Sequence, residues 1–178
     1  IKTGELTNIS PKADTPIGSV VSDPTDSNKL VATTCGLWYS QLWSENDWEN
    51  DQVAWGDVTF KSTDGGATWT QMSPGNTVSW GGPLQADYLQ NGGVSWIEHK
   101  AIHWSGSIVI DPTNTDRVLI TSGNGVFACD DVWNDIPTFY FHAKGIEEVV
   151  ALDMVSVPDG NVYSAIGDYD GFIHEDVN

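Results

Sequence analysis

The chain has 178 residues, of which 25 are acidic and 7 are basic, so its formal net charge is −18. This length suffices for one domain with a core, and no apolar run is long enough to span a membrane. The excess of carboxylates repels phosphate groups, which argues against nucleic acids and membranes as partners. Nine tryptophans among many Gly, Asp, Asn and Thr residues favour a secreted β-protein that handles carbohydrate, although a Trp-rich β core gives the same count.

The chain repeats a short pattern of strands and turns. Three segments recur in the same order: Gly18–Thr25 returns as Gly106–Thr113, Leu30–Thr34 as Val118–Ser122, and Gly36–Trp38 as Gly125–Phe127. Each copy predicts a strand, an Asp-Pro turn, a strand, a glycine turn and a third strand, because β-branched runs alternate with turn residues. No segment keeps a helical period over three turns. The repeats therefore predict an all-β fold of antiparallel β-propeller blades.

Two repeats do not close a ring, because a propeller has at least four blades and open sheet edges would stay unpaired. We therefore expect part of a larger propeller, seven-bladed or tandem, whose further blades come from flanking sequence or from another chain. The expected division is one blade region at residues 1–105 and a second at residues 106–178. The chain opens at Ile1 without a signal-like segment, so we expect a mature or excised piece of a secreted, extracellular protein.

Two long inserts, Gln41–Gly56 and Ser73–Trp104, lie between predicted blade strands and contain many aromatic residues. Long loops of this kind are often functional, and an indole ring stacks well on the apolar face of a sugar. The candidate substrate-binding residues in these inserts are Trp43, Trp48, His103 and Trp104. Ordinary loop packing is the alternative for each tryptophan, and a structural role is the alternative for the histidine.

Between the inserts, Ser62–Trp69 has the pattern S-x-D-x-G-x-T-W, known as an Asp-box. We expect Asp64 to accept hydrogen bonds from backbone amides of the turn, Gly66 to adopt a positive φ, and Trp69 to pack beneath the hairpin. The motif therefore predicts a structural turn rather than a substrate contact.

The two cysteines, Cys35 and Cys129, permit a disulfide in a secreted protein, and buried free thiols are the alternative. They lack the histidine spacing of a zinc site. The acidic residues of the first insert do not match the spacing of an EF-hand loop. The sequence therefore predicts neither a metal site nor a cofactor.

The segment Ala165–His174 sets a carboxylate, Asp168, between two glycines after an apolar run, Val162–Ile166. By itself this pattern predicts an Asp/Gly turn between two strands. A hydrolase places a catalytic acid in the same setting, because flanking glycines leave room for a bulky substrate. Asp170 and His174 are the neighbouring titratable residues that would tune such an acid, and His174 is equally well interpreted as a surface residue.

A series of motifs follows in order along the chain: Asp47–Trp69, Ala101–Trp104, Ile110–Pro112, Arg117–Leu119, Thr121–Gly125, Gly145–Glu148 and Ser164–His174. This series resembles glycoside hydrolase family 74, the xyloglucanases, from about Gly18 to the end of the chain. The resemblance implies two seven-bladed propellers with a substrate cleft between them, of which this chain would match a middle segment. It also implies that the substrate is xyloglucan or a related β-glucan of plant cell walls.

The same resemblance implies an inverting hydrolysis carried out by two aspartates, one from each propeller. Asp168 matches the second of these and would be the general acid. Nothing in the chain matches the first aspartate, and Asp170 stands where the family usually has glycine. This added carboxylate would either raise the pKa of Asp168 through like-charge repulsion or mark a site that no longer catalyses. Asp170 is also a candidate for substrate binding.

The rival interpretation is a non-catalytic propeller segment that binds β-glucan through its tryptophans, or that binds a protein. The missing first aspartate and the presence of Asp170 favour this rival. Sialidases also carry Asp-boxes, but they grip a sugar carboxylate with several arginines. The single arginine of this chain, Arg117, argues strongly against that class.

Overall fold

The computed structural model of the protein describes residues 7–13, 15–36, 56–73, 79–81, 102, 104–123, 125–143, 150–167 and 171–175. These residues form twelve β-strands and no helix. No helix that is long and apolar enough to cross a membrane is found in this described part of the chain. The chain divides into two compact units, Ile1–Ile146 and Glu147–Asn178.

The first unit contains two sheets of mainly antiparallel strands. One sheet holds, in spatial order, β1 (Ile17–Ser22), β2 (Leu30–Thr34), β3 (Thr59–Ser62) and β4 (Thr70–Ser73). The other holds β5 (Ser79–Trp80), β9 (Thr138–Phe141), β8 (Gly125–Cys129), β7 (Asn114–Ser122) and β6 (Ser107–Asp111). The short β5 pairs with β9 in parallel, and the other neighbours are antiparallel. Each sheet thus contains a four-stranded meander, as in a propeller blade.

The second unit is a three-stranded antiparallel sheet of β10 (Val150–Ser156), β11 (Val162–Gly167) and β12 (Gly171–His174). The predicted all-β fold of antiparallel blades is therefore confirmed. The strand predicted in the first repeat at residues 37–38 lies outside the described residues. In that repeat, β2 pairs with β1 on one side and with β3 on the other.

The internal repeat is confirmed by the turns that follow β1 and β6. Asp23 Oδ1 accepts hydrogen bonds of 2.7 Å from both the amide and the hydroxyl of Thr25. Asp111 Oδ1 accepts the same pair from Thr113, at 2.8 and 2.7 Å. In both turns the threonine hydroxyl is the main cause that lowers the pKa of the aspartate below its usual value. The Asp-Pro-Thr sequence therefore closes each hairpin through bonds between near neighbours.

The sheet that contains β6 and β8 has an apolar core. In β6, Ile108 and Ile110 are buried whereas Val109 between them is exposed, because successive residues of a strand face opposite sides. Phe127 is fully buried in β8 and packs edge-to-face on Phe141, with ring centroids 5.2 Å apart. This geometry suits the quadrupoles of two aromatic rings.

The charged side chain of Lys61 in β3 is buried and bonds to the loop that follows β8. Its Nζ donates hydrogen bonds to the carbonyl oxygens of Val132, at 3.0 Å, and Asn134. Burial lowers the pKa of Lys61 below its usual value, because desolvation disfavours the charged form. The lysine therefore acts as a tether between β3 and the loop that follows β8.

The two cysteines are free thiols in different surroundings. Cys129 ends β8, is buried, and donates to Asp131 Oδ1 at 3.1 Å. Burial raises the pKa of its thiol to about 12. Cys35 follows β2 and is exposed. The buried-thiol interpretation is thus correct for Cys129 and wrong for Cys35.

The Asp-box forms the turn between β3 and β4, as predicted. Asp64 accepts hydrogen bonds from the amide of Thr68 at 2.8 Å, its hydroxyl at 2.6 Å, and the hydroxyl of Ser62 at 2.8 Å. Gly66 has a φ of 88°. Trp69 Nε1 donates to the carbonyl of Ile9 at 2.8 Å. The side chains of Asp64 and Trp69, which the motif predicted to be structural, thus both make hydrogen bonds within the protein.

Replacing Asp64 by alanine is expected to destabilise the protein at neutral pH, and this loss should fade in acid. The pKa of Asp64 is lowered from 3.8 to about 2, mainly by the hydroxyl of Thr68. A carboxyl with a depressed pKa contributes its full stabilisation above its unfolded value and loses it as the pH falls through the folded value. Urea unfolding of wild type and Asp64→Ala between about pH 7 and about pH 2 measures the difference.

The variant Thr68→Val is the control, because it removes the hydroxyl donor and keeps the amide. The stability difference between wild type and Thr68→Val should fade in acid in the same way, but it should be smaller. A stability difference between wild type and Asp64→Ala that stays constant over the acid range would contradict the assigned cause.

Candidate functional site

Trp104 is the one predicted substrate-binding residue that lies within the described part of the chain. It precedes β6 and is 46% exposed, a large fraction for an indole. The ring lies against the turn between β7 and β8: a β-carbon added to Gly123 would lie 2.6 Å from Trp104 Cε3 and 3.2 Å from Trp104 Cβ. Only glycine at position 123 admits this approach. The arrangement supports the indole from below and leaves apolar surface open to a ligand.

The backbone of Trp104 is held in an unfavourable conformation. Its φ of 50° lies in the left-handed region, which a bulky residue rarely adopts. Such a conformation costs about 1–3 kcal/mol and persists only where the surroundings impose it. The structure must therefore fix the residues on both sides of this tryptophan.

Asp57 fixes the chain on both sides of Trp104. Its amide donates to the carbonyl of Ile102 at 2.7 Å, and its Oδ2 accepts the amide of Ser105 at 2.8 Å. Asp57 is 1% exposed and Ser105 is fully buried. Because Ile102 and Ser105 bracket Trp104, residue 57 clamps the tryptophan turn at its entry and at its exit.

The same carboxylate binds the end of β2. Asp57 Oδ1 accepts the hydroxyl of Thr34 at 2.7 Å, and Oδ2 accepts the amide of Gly36 at 3.2 Å. The Thr34 hydroxyl oxygen in turn accepts the amide of Val58 at 2.8 Å. A second bond of 2.9 Å joins the hydroxyls of Thr33 and Ser105. Among the described residues, these three donors to the carboxylate offset the cost of burying it.

This network lies at the opposite end of the first sheet from the Asp-box. The register of β2 and β3 pairs Thr33 with Thr59 at the Asp57 end and Leu30 with Ser62 at the Asp-box end. The sheet is therefore divided into a structural end, closed by the Asp-box, and an end that presents Trp104.

The candidate acid, Asp168, lies outside the described residues, as does Asp170. The strands on either side are described: β11 ends at Gly167 and β12 begins at Gly171, and these strands are adjacent and antiparallel. A β-carbon on Gly171 would lie 2.2 Å from the carbonyl oxygen of Ser164, so only glycine fits there. Both the turn interpretation and the catalytic interpretation of residues 168–170 fit this position.

His174, which the sequence suggested as a residue that would tune Asp168, lies in β12. His174 pairs with Val162, at the far end of β11 from Gly167. Five residues of extended strand correspond to about 16 Å. His174 Nε2 instead lies 3.0 Å from Ser164 Oγ.

The other predicted binding residues, Trp43, Trp48 and His103, lie outside the described residues. Sequence reasoning missed Asp57 and Gly123, and no local motif marks either of them. Among the described residues, no group of three or more His, Cys, Asp and Glu side chains is arranged to hold a metal ion.

Comparison with curated proteins gives clear relatives, while no protein-family model matches the chain. The chain is 33% identical over 152 residues to a probable oligoxyloglucan-reducing end-specific xyloglucanase of Neosartorya fischeri, covering 68% of this chain and 19% of that protein. It is 32% identical over 156 residues to the xyloglucanase Xgh74A of Acetivibrio thermocellus, covering 75% of this chain and 17% of that protein. The chain thus spans about a fifth of the length of these relatives.

Two solved structures are similar in fold to this chain over 99% of its length. The GH74 enzyme of Niastella koreensis is 38% identical with a TM-score of 0.67, and the match covers 99% of this chain and 23% of that one. The GH74 xyloglucanase of Xanthomonas campestris is 25% identical with a TM-score of 0.64 and the same coverage. The chain therefore belongs to glycoside hydrolase family 74, and its antiparallel sheets are blades of that family's β-propeller fold.

Proposed function

We propose that this chain forms part of a glycoside hydrolase that cleaves β-1,4-glucan bonds of xyloglucan outside the cell. The single observation that carries the proposal is Trp104, a half-exposed indole held in a strained conformation at one end of the blade. Strain of this kind is typical of functional sites. The relatives named as xyloglucanases supply the substrate class.

In the proposed mechanism, Trp104 stacks on the apolar face of a sugar ring and orients the polysaccharide. Asp168 protonates the glycosidic oxygen as the bond breaks, and a carboxylate from another part of the protein activates water on the opposite side. An inverting pair of this kind is separated by roughly 6.5–9.5 Å to admit the water. The net charge of −18 does not repel a neutral polymer.

We also propose that further blades of the same protein cover the sheet of the second unit. Leu152, Met154, Val155 and Ile173 in this sheet are each more than half exposed. Met154 and Val155 are adjacent in β10 and so face opposite sides of the sheet. A three-stranded sheet with apolar residues exposed on both faces resembles a blade without its neighbours. In this arrangement, region 1–105 carries the tryptophan inserts and region 106–178 carries the Asp168 motif.

Replacing Trp104 by alanine in the full-length protein is expected to raise KM for xyloglucan by about 30-fold with little change in kcat. Truncating an aromatic anchor costs about 2 kcal/mol of binding, which corresponds to that factor. An effect confined to KM indicates binding that is equal in the ground state and the transition state. Reducing-end release at varied xyloglucan concentration measures both constants.

Trp69→Ala is the matched control, because Trp69 lies in the Asp-box at the other end of the sheet. It should lower stability and leave KM unchanged. An unchanged KM in Trp104→Ala would remove Trp104 from substrate binding. Tight binding of xyloglucan by the wild-type protein without any hydrolysis would favour the non-catalytic alternative, which is supported by the absence from this chain of the first family aspartate and by the presence of Asp170.

A further inference from the structure

We propose that Asp57 is a positioning residue that holds Trp104 in its sugar-stacking orientation. The inference rests on the proposed function of Trp104 and adds a residue that does not touch the substrate. Asp57 is 1% exposed, so it acts through the protein and not by contact with a polysaccharide.

The first support is the symmetry of the clamp around Trp104. The backbone amide of Asp57 holds the carbonyl of Ile102, and its carboxylate holds the amide of Ser105. Trp104 lies between these two anchors with a φ of 50°. When the carboxylate is removed, the exit anchor at the Ser105 amide is lost and the left-handed conformation of Trp104 is less firmly imposed.

The second support is that the clamp uses the carboxylate as a hydrogen-bond acceptor. Oδ2 accepts the amides of Gly36 and Ser105, and Oδ1 accepts the hydroxyl of Thr34. An asparagine keeps the shape and can place its amide oxygen at the Oδ2 position. Its NH₂ group then faces the Thr34 hydroxyl, which can accept a hydrogen bond as well as donate one. The geometry therefore predicts that asparagine restores what alanine loses.

The test is a double-mutant cycle on the full-length protein, with xyloglucan oligosaccharide affinity as the readout. Asp57→Ala should raise Kd by about 10-fold, less than Trp104→Ala does. The double variant should bind no more weakly than Trp104→Ala, to within about 2-fold, because Asp57 has nothing left to position once the indole is gone. Asp57→Asn should stay within about 3-fold of wild type.

Two further variants separate positioning from general stability. Asp64→Ala removes a hydrogen-bonded carboxylate at the opposite end of the same sheet and should leave Kd unchanged. Thr34→Val removes one donor to Asp57 and should raise Kd by about 3-fold, which keeps the test available if Asp57→Ala does not fold.

The outcomes are distinct. Effects of Asp57→Ala and Trp104→Ala that multiply in the double variant overturn the proposal, since they show that Asp57 acts independently of the tryptophan. A normal Kd in both Asp57→Ala and Thr34→Val also overturns it, and the function proposed for Trp104 then still stands. An unchanged Kd in Trp104→Ala refutes the proposed stacking of Trp104 on a sugar ring.

Discussion

Replacing Asp168 by asparagine is expected to reduce the rate of xyloglucan hydrolysis by between about 10²- and 10⁴-fold, the usual contribution of a positioned general acid. Asparagine has nearly the same shape but no proton to give to the departing glycosidic oxygen. The substitution should therefore lower kcat and leave KM close to its wild-type value. Initial rates of reducing-end release by the full-length protein measure both.

Asp170→Asn is the matched control, because it removes a neighbouring carboxylate from the same segment between β11 and β12. We expect a smaller loss of activity than in Asp168→Asn, because Asp170 would tune the acid or contact the substrate but would not itself donate the proton. Loss of activity in Asp170→Asn together with full activity in Asp168→Asn would exchange the roles of the two residues. Undiminished hydrolysis in both variants would remove this segment from the acid chemistry.

Replacing Gly171 by alanine is expected to destabilise the second unit by more than about 1 kcal/mol and to reduce hydrolysis roughly 10²-fold. The added β-carbon would lie 2.2 Å from the carbonyl oxygen of Ser164, a backbone atom that cannot rotate away. The φ of 145° is also unfavourable for alanine. Since Gly171 pairs with Ala165 across the hairpin, β11 and β12 must move apart. Movement of about 1 Å at a reacting group is enough for the expected loss.

Gly65→Ala serves as the comparison. Gly65 also has a positive φ, 72°, but the nearest atom to an added β-carbon is Asn28 Oδ1 at 3.8 Å. This variant should show the backbone strain without the collision, and it should hydrolyse xyloglucan normally once folded. Chemical unfolding and initial rates of both variants provide the data. Equal rates in Gly171→Ala and wild type would show that the hairpin geometry does not position the reacting residues.

The parts of the fold that follow from the sequence are those closed by near neighbours. The Asp-Pro-Thr turns are made by bonds between residues two apart, and the Asp-box by bonds between residues two and four apart. A motif of eight residues contains all the groups that such a turn needs. The strands between the turns follow from their β-branched residues, and together these features predicted antiparallel blades.

The tertiary structure alone showed that Asp57 belongs to the candidate site around Trp104. Asp57 meets Ser105 across 48 residues, and Thr33 meets Ser105 across 72. Nothing in the short sequence around Asp57 distinguishes it from the other acidic residues of so acidic a chain. Its role depends on burial and on donors from two distant segments, the end of β2 and Ser105, which meet Asp57 only after the strands have paired.

The sequence by itself therefore determined the blade repeat and the structural role of Asp64. It also marked Trp104 and Asp168 as candidate functional residues. It did not determine that Trp104 is strained and rests on Gly123, that Lys61 is buried and bonds to the loop after β8, or that His174 lies at the far end of its hairpin from Gly167. The physical reason is the same in each case. Local hydrogen bonds and side-chain alternation are encoded within a few residues, whereas close packing and burial depend on contacts between distant segments.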